Sequence, residues 1–363
     1  MTESTFSIDK LIEPIIEKHP AKSCLNLIFG DCSIQVLSNS SLLIDKLSFY
    51  YKGFAGSNGK ADIIVTAIEA EFPNFSLPFI VKKPDPGKSK IKEEYIDFPD
   101  RRLVRKRLTE MYFIFGGEEN LAIGPCVEND NQVINFINNR YIQWYLHQEY
   151  LLGHASAVEW NGRGLAIAGF SGMGKSSLAL QLMNRGLTLV SNDRLMINTR
   201  EGKLKMYGVP KLPRVNPGTV LNNPQLTSVI PEKEKKQFID LPSDELWDLE
   251  YKYDVFIDEC FGDKKFILSA PMDALIILNW KRKDIATTVR QVDLQERRDL
   301  LSAFIKAPGL FFELPSHGNE LNFSEESYID QLKHCSVFEI KGGVNFEKAA
   351  EKCFAFLDKG KIE

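Results

Sequence analysis

The consecutive residues Gly169, Phe170, Ser171, Gly172, Met173, Gly174, Lys175 and Ser176 spell G-x-x-x-x-G-K-S, and a second serine, Ser177, follows. This spacing suits a triphosphate. Side chains at the glycine positions would obstruct a loop that turns several backbone N–H groups onto phosphate oxygens. Lys175 would reach the β and γ phosphates, and the Ser176 hydroxyl would meet Mg²⁺. ATP and Mg²⁺ are therefore the expected ligands, with Gly169 to Ser177 as the nucleotide-binding segment. A second group of interest is Ser191-Asn192-Asp193-Arg194, which ends an apolar run about one helix and one strand beyond Lys175. A carboxylate at the carboxyl end of a strand beside such a loop sits where the γ phosphate and Mg²⁺ must lie. Asp193 is the expected catalytic carboxylate and, with Ser176, the expected metal ligand.

These residues need elements to hold them. The apolar run Leu165 to Ala168 predicts a strand entering the loop, and Leu178, Leu180, Leu182 and Met183 predict a helix leaving it, stopped at Gly186. Upstream, a strand at Ala155 to Trp160 and the turn Asn161-Gly162 predict an antiparallel hairpin feeding the loop. Further strands are expected at Leu187 to Val190, Ala274 to Leu278 and Val337 to Ile340. Further helices are expected at Leu294 to Lys306 and Phe346 to Leu357. The first third reads as strand-rich, with apolar runs at Cys24 to Phe29, Ile63 to Ile68 and Tyr112 to Phe115 and a short amphipathic helix that Pro14 kinks or starts. A long helix from Asn131 to Leu152 is the expected connector, which divides the chain into residues 1–128 and 129–363.

The stretch His154-Ala-Ser-Ala-Val, then Gly162 through Ser177, then Arg185-Gly186 and Leu189-Val-Ser-Asn-Asp193, resembles the catalytic domain of HPr kinase/phosphorylase. The closest likeness is to the group called HPr kinase-related kinase B, which Gly208-Val-Pro-Lys-Leu-Pro-Arg-Val-Asn-Pro-Gly-Thr219 also resembles. The resemblance covers the last two thirds of the chain. It implies an α/β P-loop kinase domain of the HPr kinase/phosphoenolpyruvate carboxykinase type, here behind a strand-rich α+β N-terminal domain. It also implies His154 as an active-site histidine, and self-association into a homo-oligomer. Two departures stand out. Ser177 occupies a position that is Glu in the family, and Asn192-Asp193 replaces a pair of Asp. Forward transfer to a hydroxyl would rely on Asp193, whereas reverse phosphorolysis, which must activate phosphate, is not carried over.

Arg214 and Lys211 lie in the Pro-rich segment, which reads as a positioned loop rather than regular strand or helix; such a loop brings cations to phosphate. Arg214 offers a planar fork for a phosphoryl oxygen, against the alternative of a surface salt bridge. Asp254 and Asp258 read as a half-exposed strand, Phe311 and Phe312 as core. The basic runs Lys82 to Lys92 and Arg101 to Arg107 read as an exposed loop and a solvated face.

Lys plus Arg number 45 against 49 Asp plus Glu, giving a net charge of -4. That balance offers no general attraction to nucleic acid or to an acidic membrane. The six cysteines form no C-x-x-C pair and read as isolated buried thiols. With no signal-like start and no spanning apolar run, the expected compartment is the cytoplasm. The residues thus point to a kinase acting on a hydroxyl acceptor, a protein serine or a small molecule, or else to a nucleotide-sensing regulator.

Overall fold

The computed structural model describes residues 7–57, 59–73, 77–84, 89–242, 245–246, 249, 251–313 and 321–362. Contacts divide them into two units, one drawn from Met1–Trp144 and Gly309–Asn319, the other from Tyr145–Pro308 and Glu320–Glu363.

In the first unit, helix α1 (Asp9–Lys18) precedes strands β1 (Ser23–Phe29) and β2 (Cys32–Ser38), helix α2 (Ser41–Tyr50) and strand β3 (Ile63–Glu69). Strands β4 (Ile80–Val81), β5 (Glu93–Asp97), β6 (Arg101–Lys106), β7 (Met111–Gly116) and β8 (Glu119–Gly124) follow, then helix α3 (Asp130–Leu146). Among the described residues the strands form one sheet, ordered β1-β2-β3-β8-β7-β6-β5-β4. Helix α1 begins at Asp9 and contains Pro14, so the proline is not its start. Helix α3 packs through its aromatic face: Phe136 lies 4.9 Å from Phe113, and Tyr141 lies 5.3 Å from Phe29, ring centre to ring centre. Residues of α3 up to Trp144 fall in the first unit, and Tyr145 and Leu146 in the second. Phe311 joins the same cluster, 5.4 Å from Phe113 and 5.5 Å from Phe115. The basic run on β6 is matched by carboxylates. Arg101 pairs with Asp9 and Glu119, each at 2.8 Å, and Arg105 pairs with Glu94 at 3.0 Å. Residues 85–88 of the other basic run lie outside the described residues; Lys82 and Lys83 on its near side are exposed.

The second unit contains β9 (Leu151–Gly153), β10 (Ala155–Trp160), β11 (Arg163–Gly169), helix α4 (Lys175–Met183), β12 (Thr188–Ser191), β13 (Leu195–Arg200) and β14 (Lys203–Gly208). It continues with β15 (Arg214–Val215), α5 (Pro217–Leu221), α6 (Glu232–Ile239), β16 (Tyr253–Asp254) and α7 (Ile257–Phe261). Strands β17 (Ser269–Pro271), β18 (Ala274–Lys281) and β19 (Thr288–Gln291), helix α8 (Glu325–Leu332), strand β20 (Ser336–Gly343) and helix α9 (Phe346–Lys359) complete it. The main sheet has the order β12-β10-β11-β18-β20-β19. Strands β11, β18 and β20 run parallel, and β10 is antiparallel to both β11 and β12. Asn161 and Gly162 both take positive φ, as a two-residue hairpin turn demands, so the predicted hairpin is present.

Both faces of this sheet are covered, which explains why its strands read as unbroken apolar runs. One face carries Ile167, Ile276, Leu278 and Ile340 against Leu178 and Leu182 of α4 and Phe356 of α9. The other carries Ala166, Ala168, Leu275 and Ile277 against Leu300, Phe304 and Tyr328.

Three local expectations change. The helix expected from Leu294 to Lys306 is a 3₁₀ turn at Arg298–Ala303. It stops because the following backbone joins β9: His154 N donates to Phe304 O at 2.7 Å and Lys306 N to Leu152 O at 3.1 Å. The Pro-rich segment is more regular than the expected loop. Arg214–Val215 pairs with Tyr253–Asp254, and Asn216 caps α5 with Pro217 in its first turn. Asp258 consequently lies in α7, not in a strand. All six cysteines are free, with Cys24 exposed and Cys260 and Cys335 only half-buried.

Candidate active site

The strand directions bring the predicted residues together. Strand β11 ends at Gly169 and β12 at Ser191, while antiparallel β10 begins just after His154. All three termini lie on one edge of the sheet, because β10 reverses direction between the two. The loop Gly169 to Ser177, Asn192-Asp193 and His154 therefore meet there.

The loop is held by three contacts. Trp280, at the end of β18 and 1% exposed, donates from Nε1 to Met173 O at 3.0 Å. Gly174 takes φ 83°, and a β-carbon there would lie 2.4 Å from the Phe346 ring. A larger residue would need both a strained backbone and displacement of a packed aromatic. Lys175 opens α4 and donates from Nζ to Gly169 O at 2.9 Å, so its ammonium lies over the mouth of the loop. Burial, with Arg194 nearby, pushes the Lys175 pKa down, while Asp193 opposes the shift. Ser171 and Gly172 are exposed, and Ser176 and Ser177 are half-buried. Phe170 is 45% exposed.

Trp280→Phe preserves an aromatic ring on the strand but deletes the donor. The variant should lose about 1 kcal/mol of stability, since the Met173 carbonyl then loses its indole donor. Denaturant unfolding checks this, and nucleotide titration should show a few-fold weaker affinity as the loop loosens.

Asp193 is held on both oxygens. Oδ1 lies 3.2 Å from His154 Nε2 and Oδ2 lies 3.0 Å from Arg194 Nη1. Burial would raise its pKa, but the His154 hydrogen bond and the charges of Arg194 and Lys211 prevail and keep the carboxyl well below its usual range. Its neighbour Asn192 is pinned by Ser156 Oγ, which donates to Asn192 O at 2.5 Å.

Arg214 is paired with a different carboxylate. Its Nε pairs with Asp254 Oδ1 at 3.2 Å, both side chains about half exposed, which is the surface salt bridge weighed for it from sequence. Ser177 contacts the segment that carries Arg214: its Oγ lies 3.1 Å from Thr219 Oγ1, which in turn donates to Asn216 Oδ1 at 3.0 Å.

The residues fit a nucleotide with a divalent cation. The loop would contribute its amides and Lys175, and Ser176 and Asp193 would be the oxygen donors. Among the described residues no group of three or more His, Cys, Asp or Glu converges to form a metal site without phosphate oxygens. Arg194, Trp280, Asn216 and Thr219 were not singled out from sequence as site residues. The signal for Arg194 is its adjacency to Asp193; for Trp280 it is an indole N–H on an otherwise apolar strand.

Residues 147–212 match the family model described as HPr Serine kinase C-terminal domain. The HPr kinase/phosphorylase of Clostridium botulinum (strain Eklund 17B / Type B) is 29% identical over 160 residues, covering 41% of this chain and 49% of that protein. The HPr kinase/phosphorylase of Geobacillus thermodenitrificans is 34% identical over 108 residues, covering 28% and 34%. That of Chlorobium limicola is 43% identical over 58 residues, covering 16% and 17%. The chain spans about half the length, or less, of the curated relatives it matches. Among solved structures, the Hpr(Ser) kinase/phosphatase from Coxiella burnetii aligns with a TM-score of 0.30 and 13% identity, covering 58% of this chain and 88% of that one. These matches do not single out the kinase B group. Over residues 147–212 the chain is thus similar to the HPr Serine kinase C-terminal domain.

Proposed function

We propose that this protein is an ATP-dependent kinase that transfers the γ-phosphoryl group to a hydroxyl acceptor, a protein serine or similar. The observation that carries this reading is the meeting of Lys175, Asp193 and His154 at the loop edge of one sheet. The loop amides and Lys175 bind and orient the phosphates. Asp193, kept ionised, orients or accepts the proton of the incoming hydroxyl, and His154 steadies the carboxylate in that task. When bound, Mg²⁺ supplies charge neutralisation of the phosphates, with Ser176 and Asp193 as its protein ligands. The homologues named HPr kinase/phosphorylase support a phosphotransferase, while the acceptor of this chain and its self-association rest on the resemblance.

One observation favours a second reading, a nucleotide-responsive regulator: both Asp193 oxygens are already engaged. Incubation with γ-labelled ATP and Mg²⁺, together with either a cell lysate or its small-molecule fraction, separates the cases. Label appearing on a protein supports the leading reading, and label on a small molecule moves the same machinery to a small-molecule kinase. Nucleotide binding with no transfer to either leaves the regulator.

A further inference from the structure

We propose that Lys211 is a second phosphate-binding cation of this site, set against the γ phosphate, and that a Ser177–Thr219–Asn216 hydrogen-bond chain positions the segment that carries it. The proposal rests on the nucleotide-binding reading above and adds a residue to it.

The segment after β14 is tied down on both sides of Lys211. On one side, Val209 N donates to Ser191 Oγ at 3.4 Å, which lays the chain beside the end of β12. Lys211 N then donates to Val209 O at 2.7 Å, turning the backbone sharply there. On the other side, Thr219 Oγ1 meets Ser177 Oγ of α4 at 3.1 Å, and Asn216 Oδ1 accepts both from Thr219 Oγ1 and, at 3.0 Å, from Thr219 N. Thr219 is 9% exposed, so its hydroxyl needs these partners. The span from Val209 to Thr219 is thereby anchored to β12 at one end and to the loop helix at the other.

Lys211 lies in the field of Asp193, as Lys175 does. Burial pushes its pKa down, Asp193 and, more weakly, Asp254 oppose the shift, and Arg194 and Arg214 add to it. Asp193 spends its oxygens on His154 and Arg194. Among the described residues the Lys211 ammonium has no carboxylate within ion-pair distance. Three cations, Lys175, Lys211 and Arg194, thus act on Asp193, with Asp254 the one further carboxylate acting on Lys211, a balance of charge that suits an anion. Lys175 lies at the loop, whereas the Lys211 backbone follows Val209, which is bonded to Ser191 at the end of β12. An anion lodged beside Asp193 would therefore be gripped from two sides, and in a nucleotide the group reaching that far is the γ phosphate.

The test is the ratio of Mg-ATP to Mg-ADP affinity, measured by calorimetry on the full chain. Lys211→Met should weaken ATP about tenfold more than ADP, the size of one lost charge-assisted contact. Lys211→Arg should keep most of the ratio. Thr219→Val should lower the ratio in the same direction, and Thr219→Ser, which restores the hydroxyl, should recover it. ADP binding serves as the folding control in every variant. If wild type binds both nucleotides and Lys211→Met weakens them equally or not at all, the Lys211 assignment is overturned while the functional reading stands. An unchanged ratio in Thr219→Val overturns the positioning chain. A wild-type chain that binds neither nucleotide overturns the functional reading and this proposal together.

Discussion

Lys175→Ala should abolish the rise in thermal stability that ATP with Mg²⁺ confers on the wild-type chain. A ligand bound only by the folded state stabilises it by about 2.7 kcal/mol at a hundredfold excess over its Kd, and the shift vanishes when affinity does. Lys175 is the right residue to remove because its ammonium, 2.9 Å from Gly169 O, already faces the loop mouth. Its buried position also disfavours an isolated charge, so its truncation should do little harm to the free protein. A melting curve with and without nucleotide reads both effects. If wild type itself shows no shift with ATP, ADP or a nonhydrolysable analogue, the nucleotide site is refuted.

Asp193→Asn should lower phosphoryl transfer by roughly a hundredfold or more, while nucleotide affinity changes far less. The substitution keeps the shape and removes the charge. In the free protein it leaves Arg194 without its 3.0 Å partner and turns the 3.2 Å contact with His154 into a neutral one. The amide cradle and Lys175 remain, so binding survives although loss of a metal ligand weakens it somewhat. The contrast with Lys175→Ala is the diagnostic, because that variant loses binding and turnover together. Single-turnover transfer to the identified acceptor, beside nucleotide titration, measures both. Wild-type turnover in Asp193→Asn would move the search for the catalytic group to Asp254, to Asp258 or to a residue contributed by a neighbouring subunit.

What the sequence by itself determined is what lies within one continuous stretch. The loop needs only its own glycines, Lys175 and Ser176, and the strand, hairpin turn and helix around it follow from local periodicity and the Asn161-Gly162 turn. The apolar strands of the main sheet were legible for the same reason: a sheet buried on both faces imposes unbroken runs. The tertiary structure decided what depends on strand order. His154 and Asp193 are partners because β10 runs antiparallel between β11 and β12, and nothing in their spacing states that direction. Trp280 reaches the loop because β18 is the next strand in the sheet, and Thr219 reaches Ser177 because the Pro-rich segment folds back over α4. Arg214 shows the converse. Its type and neighbours suit phosphate, and it is the short pairing with Tyr253–Asp254, invisible in local sequence, that places Asp254 beside it in a half-exposed ion pair. The expected helix at Leu294 to Lys306 was shortened likewise, when β9 took the backbone groups of Phe304 and Lys306. Local sequence sets torsional preferences and apolar faces, whereas the pairing of distant backbone groups decides which side chains meet.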